Sequence, residues 1–154
     1  MRFYIKYIQP VKHKIELGDS LSLPTAWETI IGLQFENLVV NNRKYLHRLL
    51  TIKPEELVFA NPYLQTQTIE RKKCQIDYMI QTKFNTIYVC EIKFSKKPIG
   101  PDVITEVQEK ISKLKLPKGF SCRPVLIHVN GVTDSVIEKE YFSMVIDFAT
   151  LLSD

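Results

Sequence analysis

CQIDYMIQTKFNTIYVCEIKF, residues 74–94, reads as two strands joined by a short link, KFN. Side chains alternate across a strand, so Ile76, Tyr78 and Ile80 are expected on one face and Gln75, Asp77 and Met79 on the other. In TIYVCEIKF, Ile87, Val89, Glu91 and Lys93 share a face opposite Tyr88, Cys90 and Ile92. Charge thus stands among apolar neighbours in the middle of both strands. An acid placed there is costly to bury unless it is paired or binds a metal. Glu91 and Lys93 are two residues apart, which lets them act on one face.

Around this hairpin the breakers divide the chain into elements. Residues 2–8, RFYIKYI, alternate weakly and end at Pro10, which suggests a short strand or a remnant packing segment. Ser22 or Thr25 could cap a helix beginning near Ala26, where WETIIGLQFENLVVNN carries Ile30, Ile31, Leu33, Phe35, Leu38 and Val39. From Val58 the pattern turns to β, and PYLQTQTI precedes the hairpin across the charged link ERKK. After it, Gly100 and Pro101 open VITEVQEKISKLKL, with Ile104, Val107, Ile111 and Leu114 at helical spacing. CRPVLIHV and SMVIDF read as strands, separated by a short helix near Ser135–Lys139, and a further helical turn is expected at the C-terminus. A strand that returns after a helix requires a crossover, so the sheet should be mixed, with helices on both faces.

The 154 residues suit one domain, and no stretch approaches the roughly 18 uncharged apolar residues of a membrane span. Arg2, Lys6, Lys12 and Lys14 interrupt the apolar N-terminus, unlike a secretory signal, so a cytoplasmic location is expected. Cys74, Cys90 and Cys122 have the profile of reduced core thiols. Neither they nor His13, His47 and His128 have zinc-site spacing, so no zinc is expected. Residues 1–118 hold 19 Lys and Arg against 12 Asp and Glu, whereas 119–154 hold 2 against 5. The basic part contains the candidate chemistry, and its charge suits a polyphosphate partner as well as a solvated face.

The buried charges admit two readings. In one, Lys93 neutralises Glu91 or Asp77 across the strands. In the other, Asp77 and Glu91, the backbone carbonyl of Ile92 and several waters hold Mg²⁺, with Mn²⁺ as a substitute. The ion would acidify a water and stabilise a developing phosphorane, and Lys93 would hold the nucleophile or the phosphate. Glu36 has Gly32, Leu33, Val39 and Val40 as its helical neighbours, so it projects from an apolar face. It either joins the metal site or pairs with a lysine such as Lys93. Gln108 and Lys110 border the apolar stripe of the second helix, from which either could reach the acids and contact phosphate. A second Glu-x-Lys triplet, Glu70-Arg71-Lys72, sits in the polar link and reads as a solvated turn.

Together GLQFENLV with Glu36, CQIDYMI with Asp77, and YVCEIKFSKKPIG with Glu91 and Lys93 resemble the PD-(D/E)XK nuclease superfamily over roughly residues 25–130. Ile76 stands in place of the nominal proline. FYIKYIQP, LQFENLV, QIDYMI and EIKFSKKPI are more specifically similar to the C-terminal domain that follows the AAA+ module in a family of prokaryotic, archaeal-type ATPases. The resemblance implies a restriction-endonuclease-like three-layer α/β/α core of order αβββαβ over residues 25–154, with 1–24 as an extension packed on it. It implies Mg²⁺-dependent hydrolysis of DNA phosphodiesters, with Lys93 and Glu36 catalytic and Asp77, Glu91 and Ile92 on the metal. Lys96, Lys97, Gln108 and Lys110 would contact nucleic acid. The expected partners are DNA and an ATPase module in cis or in trans, with a homo-oligomer left open. The chain lacks G-x-x-x-x-G-K-[ST], so nucleotide hydrolysis is not expected of it. The competing expectation is a nuclease-like accessory domain that binds nucleic acid or a protein without cutting.

Overall fold

A computed structural model describes residues 23–149. The expected strand at 2–8, the Ser22 cap, the extension before the core and the C-terminal helical turn lie outside the described residues. Helix α1 spans Leu23–Asn41 and α2 spans Arg43–Leu49. Strand β1 is Leu57–Gln65, β2 Cys74–Thr82 and β3 Thr86–Lys93. Helix α3 (Asp102–Lys113) leads to β4 (Ser121–His128), and α4 (Asp134–Glu138) leads to β5 (Met144–Asp147). Thr25 lies inside α1 and so does not cap it.

The five strands form one sheet in the order β1-β2-β3-β4-β5. The first two pairings are antiparallel and the last two parallel, as the helical crossovers demand. Asn85 closes the β2–β3 hairpin at φ 56°, a left-handed conformation that asparagine tolerates well. One face of the sheet buries Tyr78, Ile80, Cys90, Ile92, Val125 and Ile127 against Phe35, Val39 and Val40 of α1 and Leu46 of α2. The other buries Cys74, Ile76, Met79, Ile87 and Val89 near Leu114, and Leu126 against Val103, Ile104 and Val107 of α3. The expected three-layer α/β/α architecture with a mixed sheet is therefore the observed one. All three cysteines are free thiols, Cys74 and Cys90 buried.

One polar contact is set into the first core. His47 Nε2 lies 2.9 Å from the Tyr78 hydroxyl, and both residues are buried. Burial, with Arg43 nearby, lowers the His47 pKa. Removing the hydroxyl leaves a buried ring nitrogen without its partner. Tyr78→Phe is therefore expected to cost about 1–2 kcal/mol, measured by urea denaturation.

Candidate active site

The site begins at a proline. Pro62 has no N–H to give to the ladder, and β2 answers with an irregularity. Asn61 pairs with Met79 but Tyr63 pairs with Ile76, so Asp77 and Tyr78 together stand opposite Pro62. Strict alternation fails here. Ile76 joins Cys74 and Met79 in the core beside α3, while Tyr78 and Ile80 face α1 and α2. The expectation that Ile76 shares a face with Tyr78 is thereby corrected.

The β2–β3 ladder runs from Gln81↔Ile87 to Tyr78↔Cys90. Beyond it the Ile92 N–H donates to Asp77 Oδ2 at 2.9 Å, so the carboxylate takes the place of a ladder partner and is fixed by it. Glu91 is only 7% exposed. Lys110 reaches it from α3, its Nζ donating to Oε2 at 2.8 Å and to Oε1 at 3.2 Å. Glu36 comes from α1 on the other side and lies within reach of the charge of Asp77. Three carboxyl groups from three elements thus lie within electrostatic reach of one lysine.

Their electrostatics follow from that crowding. Burial, then the charges of Asp77 and Glu91, push the Glu36 pKa up to about 8, with Lys110 opposing. Glu36 accordingly favours its protonated form. Glu91 is raised as well, by burial and by Asp77, against the pull of Lys110 and Lys93. Burial would lower Lys110, but Asp77 and Glu91 more than offset it and raise its pKa.

Lys93 lies elsewhere. Its Nζ donates to Glu106 Oε2 at 2.6 Å, a half-exposed pair on the flank of α3. The expected neutralisation of Glu91 or Asp77 by Lys93 is therefore corrected, because Lys110 is the cation bonded to Glu91. Glu36, likewise, meets acids where a pairing with Lys93 was the alternative. Gln108 is exposed and sits about 200° around the helix from Lys110, so it faces away from the acids. Lys96 and Lys97 are exposed on the segment after β3. Glu70-Arg71-Lys72 lies in an exposed link, where the Arg71 N–H donates to Thr68 Oγ1.

Hydrated Mg²⁺ takes oxygen donors, and this donor set is one of carboxylates, so the chemistry fits such an ion. Among the described residues, however, no three His, Cys, Asp or Glu side chains stand together at metal-holding spacing. Lys110 bonds both oxygens of Glu91, so a cation would have to displace it. No helix of the described residues is long and apolar enough to cross a membrane.

No family model and no curated protein matches this sequence. Among solved structures, the chain is similar to that of a repair endonuclease from Pyrococcus abyssi, with 20% identity and a TM-score of 0.46. The similarity covers 72% of this chain and 43% of that one, so this chain spans less than half the length of that protein.

Proposed function

We propose that this chain is a metal-dependent nuclease domain acting on DNA. The observation that carries the reading is that Glu36, Asp77 and Glu91, from α1, β2 and β3, lie within reach of one another's charge, with Asp77 fixed by the Ile92 N–H. Asp77, Glu91 and the Ile92 carbonyl would hold Mg²⁺ or Mn²⁺. The bound ion would acidify a water and offset charge on the phosphorane. Lys93 is bound only by a half-exposed pair to Glu106, of a kind that contributes little, so it is free to turn to a phosphate. Glu36, its pKa raised by burial and by Asp77, would pass a proton within the site. Lys96 and Lys97, and Lys110 once released from Glu91, would contact the backbone of the DNA. Association with an AAA+ ATPase in cis or in trans, in the cytoplasm, belongs to the same proposal.

A second reading, an accessory domain that binds without cutting, is favoured by the Lys110–Glu91 pair, which fills the place a metal would take. The test is incubation of plasmid and single-stranded DNA with Mg²⁺ or Mn²⁺, alongside calorimetric Mn²⁺ titration. Cleavage lost in Glu91→Ala and Lys93→Ala is the expected result. Mn²⁺ binding that requires Asp77 and Glu91, without cleavage of any DNA, would favour the accessory domain. Absence of Mn²⁺ binding would overturn the metal reading altogether.

A further inference from the structure

A second concave site lies on the sheet face covered by α2. Arg43, Lys44, His47 and Arg48 occupy positions i, i+1, i+4 and i+5 of that helix and so share one side of it. Opposite them, Ile52, Pro54, Leu57, Ala60 and Asn61 complete a cleft of about 700 Å³. That volume falls within the roughly 300–1,000 Å³ of small-molecule sites. The helix turns its remaining residues, Leu46 above all, into the core, so the basic side is left over for the cleft.

None of the three cations of this cleft forms an ion pair among the described residues. Among the described residues the two ion pairs are Lys93–Glu106 and Lys110–Glu91, and neither involves α2. Glu55 and Glu56, on the adjoining 3₁₀ turn Pro54–Glu56, form no ion pair with Arg43, Lys44 or Arg48. Three like charges crowded on two turns of helix repel one another, and an anion relieves them. His47 adds little charge of its own, since burial and the nearby Arg43 keep it neutral. The rest of the lining is chemically different: Ile52, Leu57, Ala60 and Pro54 offer an apolar wall that a bare phosphate would not use, and the Asn61 amide adds a donor and an acceptor.

We propose that the cleft between α2 and β1 binds a nucleotide, its phosphate on Arg43, Lys44 and Arg48 and its base along Ile52, Leu57 and Ala60. The nucleotide is either free or one unit of a strand. The site is separate from the acid cluster and holds whether or not the acids bind metal. It also gives three of the 19 Lys and Arg of residues 1–118 a shared location.

The experiment is a titration of the whole protein, in EDTA, with a nucleoside monophosphate, the parent nucleoside, inorganic phosphate and a short single-stranded oligonucleotide. Wild-type protein is expected to bind the monophosphate at least about tenfold more tightly than the nucleoside or phosphate. Arg43→Gln combined with Arg48→Gln is expected to weaken it by about tenfold or more. Both positions are exposed, so the thermal melt should be unchanged. Glu91→Gln should bind as wild type does, which separates this site from the acids. Tighter binding of the oligonucleotide than of the monophosphate assigns the site to a strand, and the reverse assigns it to a free nucleotide. Equal binding of nucleoside and monophosphate, equal binding of phosphate and monophosphate, or full affinity in the double variant would overturn the proposal. So would the failure of every phosphorylated probe to bind wild type.

Discussion

Lys110→Met is expected to weaken the metal-free protein by about 2–3 kcal/mol and, at the same time, to tighten its Mn²⁺ binding by about tenfold or more. The first effect follows from burial. Glu91 would lose the cation that donates to both of its oxygens, and a carboxylate left alone at that exposure is strongly unfavourable. The cost falls below the 3–5 kcal/mol of a fully buried pair, because the Lys110 side chain keeps 29% of its exposure. The second effect follows from competition. If Lys110 stands in for a metal, its removal opens both Glu91 oxygens and takes away a repelling charge. Methionine keeps much of the apolar stem, so packing beside α3 changes little. Urea denaturation in EDTA reads the first effect and calorimetric Mn²⁺ titration the second. Lower stability with unchanged or weaker Mn²⁺ binding would mean that the pair is structural, and that Glu91 is no ligand.

The placement of Lys110 shows where sequence reasoning ran short. The hairpin at residues 74–94 was legible almost to the residue, because two apolar runs with β-favouring residues flank a short link that contains asparagine. The crossover helix was legible from the spacing of Ile104, Val107 and Ile111, and so was the mixed sheet. Helix α2 was not foreseen: RKYLHRL places only Tyr45, Leu46 and Leu49 on its apolar side, too short a period to stand out. The bulge at Asp77 could have been found, since Pro62 sits within a β-patterned run and must leave a gap in the ladder. Which lysine meets Glu91 could not. Lys93 is the neighbour along the strand, but a residue on the same face two positions on extends past its own strand, whereas Lys110 descends on Glu91 from the packed helix. The sequence left Gln108 and Lys110 as alternatives, and only the docking of α3 on the sheet decided that Lys110 meets the acids.

Glu36→Gln is expected to remove most of a pH dependence that the acid cluster builds into the fold. In the folded protein Glu36 titrates at about 8, against 4.5 in an unperturbed chain. Below pH 4.5 the group is protonated in both states and contributes no slope. Between 4.5 and 8 the unfolded chain has released the proton that the folded chain still holds, so unfolding releases a proton and stability falls as pH rises. Above 8 both states are ionised and the loss levels off. Glu91, also raised, adds to the decline with the same sign. Glutamine keeps the shape, but it cannot acquire the third charge. The variant should therefore match wild type near pH 4.5 and exceed it in stability at pH 8 and above, in urea denaturation with EDTA present. Saturating Mn²⁺ sharpens the test, because a cation among these carboxylates favours their ionised forms and would flatten the wild-type curve as well. A Glu36→Gln curve parallel to wild type would place the slope on Glu91 alone and remove Glu36 from the site. A wild-type curve that Mn²⁺ leaves untouched would count against metal among the three acids, whatever the variant does.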